Sequence, residues 1–246
     1  QQACISPDDH FDSVAALDLT TGAYKWATST MPYDAWTLAC IPGFDSTNCP
    51  QPAGPAYDFG QGPSLFSAAG RALLGAGQKS GAYWALDPAT GAVVWKTQVG
   101  PGGLGGGLLW GSATDGKRIY VADANSSATA WTLVQNGQAS GPTITSGFWS
   151  ALDAATGKVL WQTPNPTGAQ VPGAVTLANG VVYGCSADSA GHMYALNGAT
   201  GAILWSFASG GACAAGASVS GGIVYWGSGY SEFYTGNNKV FAFQVP

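Results

Sequence analysis

An all-β chain built from repeated four-stranded sheets is what this sequence predicts, on three observations. A strand–turn–strand phrase ending on tryptophan recurs four times in the 246 residues. Its copies are Ser13–Trp26, Ala82–Trp95, Phe148–Trp161 and His192–Trp205, each centred on Ala-Leu-Asp or Ala-Leu-Asn and a Thr-Gly turn. The terminal tryptophans lie 69, 66 and 44 residues apart, and 44 is close to the length of one four-stranded propeller blade. Asp-Gly and Asn-Gly turns at 115–116 and 179–180 close hairpins between the remaining short strands. Together these give a β-propeller of about four blades.

Residues 1–12 read as an acidic lead-in, followed by strands at 13–18 and 23–28 around the turn 19–22. Residues 29–60 form a long insertion rich in Pro, Gly, Asp and aromatics. Cys40 and Cys49 are close enough there to staple a small loop, and a loop of this length is usually functional. A full unit follows, with strands at 63–68, 72–78, 83–87 and 93–98. The next has strands at 108–113, 118–122, 149–153 and 159–162, interrupted by a polar insertion at 123–146. A third spans 173–207, and the last has strands at 216–220, 223–227 and 239–244. Glycine clusters such as 102–107 fit inner strands, where backbones crowd together. Asp18, Asp87 and Asp153 open the repeated turns as caps. Trp26, Trp95, Trp161 and Trp205 read as packing between blades.

The first unit supplies the outer two strands of a blade and the last supplies the inner three. Unpaired sheet edges invite association, so two completions are open. The ends pair into a ring of about four blades, or the chain is about half of a larger ring completed by a second polypeptide or copy.

Bulk composition narrows the function. Charged residues are 9% of the chain, net charge is −5, and the eight Lys and Arg stand singly. A nucleic-acid surface needs a basic patch and finds none. No apolar run has the roughly 18 residues of a membrane span. The start Gln-Gln-Ala-Cys has neither Met nor an apolar signal core and reads as a processed product. Five cysteines, a glycosylation acceptor at Asn125-Ser126-Ser127 and sparse lysine point to a secreted, oxidising setting. His10 and His192 lack a Gly-x-Ser-x-Gly elbow, and cysteine spacing offers neither zinc nor haem. No metal site is expected from these residues.

The phrase Ala-Leu-Asp-x-x-Thr-Gly-x-x-x-Trp resembles the tryptophan-docking repeat of quinoprotein alcohol dehydrogenases, eight-bladed propellers that use pyrroloquinoline quinone. Further segments bring the resemblance closest to the polyvinyl-alcohol-dehydrogenase-like branch, over essentially the whole chain. They are Asp34-Ala35-Trp36, Asn48-Cys49-Pro50, Tyr57-Asp58-Phe59-Gly60, Gly77-Gln78-Lys79-Ser80-Gly81, Gly100–Gly107 and Trp110–Arg118. The resemblance is to the C-terminal half of such chains. It implies alcohol oxidation by hydride transfer to the quinone with calcium, and pairing of Cys185 with Cys213 and of Cys4 with a cysteine outside this chain. Lys79 matches the cation beside the quinone, where it would polarise the reacting carbonyl; its alternative is a solvated hairpin lysine. Trp36 and Trp110 are the other cofactor-binding candidates, against core packing for Trp110. The catalytic carboxylate normally follows the tryptophan directly, and Thr37 stands there. Asp34 is the substitute base, with loop capping as its alternative. The departure at Thr37 favours a second reading, a non-catalytic extracellular propeller that binds or self-assembles.

Overall fold

The computed structural model describes residues 6, 8–31, 34–231 and 233–244. It contains nineteen strands among these residues, arranged as five successive antiparallel units. The first unit is β1 (Ser13–Leu17) paired with β2 (Tyr24–Ser29). The second is β3 (Ser64–Ala68), β4 (Arg71–Gly77), β5 (Ala82–Leu86) and β6 (Val93–Gln98), hydrogen-bonded in that order. In the third, β7 (Ala113–Thr114), β8 (Arg118–Asp123), β11 (Phe148–Asp153) and β12 (Val159–Pro164) are neighbours in turn. Between β8 and β11 the polar insertion carries its own small ribbon, β9 (Trp131–Thr132) with β10 (Thr143–Ile144). The fourth unit is β13 (Thr176–Ala178), β14 (Val181–Cys185), β15 (His192–Asn197) and β16 (Ile203–Ala208). The fifth has β17 (Ser218–Ser220), β18 (Ile223–Ser228) and β19 (Lys239–Gln244). This is the all-β, four-stranded-blade architecture the repeats predict, with two strands in the first unit and three in the last. The sheets of β1–β2 and β17–β19 are separate, so the ends do not pair into a four-bladed ring among the described residues.

The blades bury their faces against one another. Four apolar clusters, one at each junction, form the core. Val14 and Trp26 meet Trp84 and Leu86 between the first two units. Phe66, Leu73 and Tyr83 meet Ile119, Val121 and Leu152 at the next junction. Tyr120 and Trp149 meet Val182 and Tyr194. Cys185 and Met193 meet Cys213 and Trp226. The central strands β5, β8, β11 and β15 are buried almost throughout because both faces are covered, which is why they read as continuous apolar runs.

The repeated turn works as a clasp. Asp18, Asp87, Asp153 and Asn197 each accept two backbone N–H groups through Oδ1, an Asx-type closure. The turn glycine that follows has φ near +73° at Gly91 and Gly157 and +74° at Gly201, a region only glycine enters freely. Trp26, Trp95 and Trp161 lay the edge of their indoles on Gly91, Gly157 and Gly201 of the following blade, where a Cβ would collide with the ring. The threonine two residues later locks the contact. Thr28, Thr97 and Thr163 donate to the carbonyls of the same three glycines at 2.6, 2.7 and 2.8 Å. Trp205 departs from the expected docking. Its third residue is Phe207 rather than threonine, the indole is 38% exposed, and it packs edge-on against Phe243 of β19 and stacks with Phe207 instead.

Two other expectations shift. The predicted strand at 108–113 contracts to Ala113–Thr114 because Trp110 takes φ +62° and breaks the ladder. The preceding residues form single bridges, Leu108 to Asp123 and Leu109 to Gly60. The glycine run 102–107 does not crowd an inner strand; it packs on the loop that holds Lys79. A Cβ on Gly102 would meet Ser80 backbone, and one on Gly107 would meet Gly81 and Pro101 backbone.

Candidate functional site

Lys79 sits in the loop joining β4 to β5, and its backbone is held at three points. Its N–H donates to the Asp58 carbonyl at 3.0 Å, while its own carbonyl accepts from Gly103 and Gly107 at 3.2 and 2.9 Å. This explains the glycine run: side chains there would prevent the approach. The Lys79 ammonium reaches Asp58 Oδ2 at 2.6 Å, with the lysine side chain 22% exposed and the aspartate 62%. Lys79 is therefore a positioned, ion-paired side chain, unlike a solvated hairpin lysine.

Asp58 and Asp12 bear on it, and Asp34 in turn bears on Asp12. Asp12, at the entry to β1, lies in the field of Asp34, Asp58 and Lys79. Its Oδ2 is buried without a hydrogen-bond partner, and its carbonyl accepts both the N–H and the hydroxyl of Thr30. Thr30 Oγ1 in turn accepts from Gln78 Nε2 at 2.8 Å, and Gln78 Oε1 accepts from Ser80 and Trp84. Burial, then repulsion from Asp34 and Asp58, pushes the Asp12 carboxyl up to about 6, against the opposing pull of Lys79. Because the folded value lies above the ordinary 3.8, this group contributes stability fully present below about 4 and lost as pH rises through about 6. Carboxyl carbon NMR titration should find Asp12 near 6, moving upward in Lys79→Ala and downward in Asp34→Asn. An unmoved Asp12 in both variants would show that the four groups do not share one field.

Asp34 is placed beside this cluster but is already engaged. Its Oδ1 accepts the Trp36 N–H at 3.2 Å and its Oδ2 the Tyr57 N–H at 2.8 Å. Gly54, at φ +84°, presses against the same carboxylate. Asp34 thus closes the loop as a cap, and Trp36 contributes its backbone to that closure. Thr37 is exposed and donates its hydroxyl to the Asn48 carbonyl at 3.4 Å. The Cys40–Cys49 disulfide closes this loop across two short 3-10 turns, Leu38–Cys40 and Ser46–Asn48. Cys185 and Cys213 form the second disulfide. Cys4 and its partner lie outside the described residues.

Gly60 links this cluster to Trp110. Its segment carries Asp58 to Lys79, and its own carbonyl accepts the Trp110 N–H at 3.1 Å. Trp110 is 59% exposed, not core, and lines a separate cavity of about 410 Å³ whose far side belongs to the fifth unit. The left-handed backbone of Trp110 was not visible in the sequence; Gly111 after a glycine-rich approach was the only available signal.

Asn125, expected as a glycosylation acceptor on an exposed loop, lies in the interior instead. It is 1% exposed, and its amide nitrogen donates to the Thr129 and Ser146 carbonyls while its oxygen accepts from Thr129. Burial and full hydrogen bonding leave no access for a sugar on the folded chain. Its role is to pin the start of the polar insertion.

Blades clasped by a tryptophan on a Thr-Gly turn, with a buttressed lysine between the second and third strands of one blade, define a propeller of the quinoprotein type. A family model described as "Outer membrane protein assembly factor BamB" (PQQ_2) matches residues 10–147 and 85–245. The chain belongs to this family of PQQ-repeat, alcohol-dehydrogenase-like propellers. It is 34% identical to a polyvinylalcohol dehydrogenase of Sphingopyxis sp. (strain 113P3), over 92% of this chain and 37% of that protein. It is 30% identical to a polyvinylalcohol dehydrogenase of Pseudomonas sp., over 95% and 39%. The chain thus spans well under half the length of these relatives. Among solved structures, the quinohemoprotein alcohol dehydrogenase from Comamonas testosteroni superposes with a TM-score of 0.66 at 18% identity, covering 95% of this chain and 42% of that one. A europium-containing methanol dehydrogenase gives 0.60 at 15%, covering 89% and 44%. These two likenesses concern the fold.

The residues present fit a quinone and metal on one side only. Lys79 is a suitable cation for a quinone oxygen, but Asp58 already balances its charge and Asp12 adds to the negative field. Among the described residues no three His, Cys, Asp or Glu side chains converge as metal ligands. No helix among them is long and apolar enough to cross a membrane.

Proposed function

We propose that this chain is the C-terminal half of a secreted dehydrogenase-like propeller that oxidises alcohols, polyvinyl alcohol among them. The other half of the ring, as a second polypeptide of different sequence, supplies the metal ligands. The observation that carries this reading is Lys79, fixed by three backbone hydrogen bonds and aimed through the Asp58 ion pair. Pyrroloquinoline quinone, when bound with calcium, would supply the hydride acceptor. Lys79 would hold and polarise its oxygen, and Asp58 would keep the ammonium in place. Two disulfides and the scarcity of lysine support an oxidising compartment.

A specific observation favours a second reading. The Asp34 carboxylate is occupied by two backbone N–H groups and Thr37 faces solvent, so neither of these two residues offers a free base where the class has one. That supports a non-catalytic, extracellular binding or self-assembling propeller.

One experiment separates them. The purified chain is mixed with quinone and calcium, alone and co-expressed with the remaining length of a polyvinylalcohol dehydrogenase, and dye reduction by alcohols is followed. Turnover is expected from the complemented assembly only, falling about 10²–10³-fold in Lys79→Ala. Turnover indifferent to Lys79 overturns the assigned role. Failure of the assembly to retain quinone selects the non-catalytic module.

A further inference from the structure

The recess beside Trp110 has a chemistry different from that of the Lys79 cluster. One wall is the exposed indole of Trp110, and the opposite side is formed by Ala212, Ala214, Ala215, Gly227 and Tyr230. Its volume, about 410 Å³, falls within the roughly 300–1,000 Å³ of ordinary ligand pockets. Among the described residues no Asp, Glu, His, Lys or Arg lines it.

Three of the lining polar groups are already committed to the protein. Ser228 Oγ donates to the Gly211 carbonyl at 2.9 Å and bonds Ser209 Oγ at 2.6 Å. The Ala215 carbonyl accepts the Trp226 indole N–H at 2.8 Å. The Ala212 carbonyl accepts from Gly229 and Tyr230 at 2.9 and 3.2 Å. A charged ligand would lose hydration there with no opposite charge among the described lining residues to offset it, so the recess favours an uncharged occupant over an acidic or basic one.

Two features mark the recess as built rather than left over. Trp110 holds φ +62°, a strained backbone for a bulky residue and one that clusters at functional sites. Here the strained residue presents its indole outward, 59% exposed. Across from it, Gly227 lies in β18 with ordinary backbone angles, and an added Cβ would meet only the Ala215 methyl at 3.8 Å. Glycine at that point keeps the floor low without being required by the backbone.

We infer that this recess is a holding subsite for an uncharged aliphatic alcohol chain, with the Trp110 face packing on its C–H groups and the alanine–glycine floor opposite. Hydroxyls along such a chain stay towards the open side and remain hydrated, so none is stranded in the apolar slot. The subsite would hold the chain apart from Lys79 and favour a polymer over a short alcohol. The choice of an alcohol chain rests on the dehydrogenase reading above; the neutrality and shape of the slot do not.

The test is titration calorimetry of the full chain with a polyvinyl alcohol oligomer, in the absence of quinone, with polyacrylate as the charged chain of the same backbone. Saturable binding of the alcohol oligomer is expected, with polyacrylate at least tenfold weaker. Trp110→Gly, which suits the left-handed backbone, and Gly227→Val, which raises the floor, should each weaken binding tenfold or more. Lys79→Ala should leave it within twofold. The inference is overturned if the oligomer fails to bind, if both recess variants bind normally, if Lys79→Ala loses binding, or if polyacrylate binds equally well. Binding that survives in an assembly without turnover supports the subsite and strikes the dehydrogenase reading alone.

Discussion

Replacing Trp161 with alanine should destabilise the protein by about 3–5 kcal/mol, whereas Trp205→Ala, the same position of the next repeat, should cost less than half as much. The indole of Trp161 is 7% exposed, lies over Gly201 and donates to the Gly198 carbonyl at 3.1 Å. Its removal opens a cavity between two blades and leaves that carbonyl without its donor. Trp205 is 38% exposed and rests on Phe207 and Phe243, which can close over the gap. Urea midpoints of the two variants against the parent chain decide the matter. Equal losses would mean that the indole stabilises through its own hairpin and that the clasp on the following turn contributes nothing.

The second large effect concerns the disulfides, which should rank by what they enclose. Cys185 and Cys213, 28 residues apart, are both buried and lie at the junction of the fourth and fifth units with Met193 and Trp226. Loop-closure entropy assigns about 3.5 kcal/mol to a link of that span and about 2.5 kcal/mol to the nine-residue separation of Cys40 and Cys49. The double variant Cys185→Ala/Cys213→Ala also loses buried sulfur from a packed core, which widens the difference. Thermal denaturation should therefore show the larger drop for the Cys185–Cys213 pair. The Cys40→Ala/Cys49→Ala chain should keep its blades and loosen mainly the loop that carries Asp34. A greater loss from the exposed loop would show that this loop anchors the second blade.

The strand pattern was legible because each blade repeats one sentence of chemistry: apolar strand, Asx turn, positive-φ glycine, tryptophan. What sequence left out was tertiary. Apart from Gly111, the composition of 108–113 does not announce that Trp110 turns to a left-handed conformation, because a tryptophan after two leucines has the local preferences of a strand. Asn125 shows the opposite failure. Asn-Ser-Ser reads as a surface acceptor, but the amide is drawn inward by two carbonyls, one of them from Ser146, distant in sequence. For the site, Lys79 was visible through its Gln-Lys-Ser-Gly setting. Its partner Asp58 lies 21 residues upstream and is brought to it by backbone pairing that no local pattern encodes. Asp34 was visible as a residue type, yet only the N–H groups of Trp36 and Tyr57 show it to be a cap.

The tryptophan clasps make the molecule a row of units in which each one grips only the next. Every shared core spans a single junction, so coupling is nearest-neighbour and stability adds up along the row as in a one-dimensional array. The second and third units are gripped from both sides, while the fifth lacks the indole-on-glycine contact on its near face. Damage to one clasp should accordingly loosen two adjoining sheets and leave the others at their former strength. Such a row wears at its joints, one at a time, rather than melting as a single block.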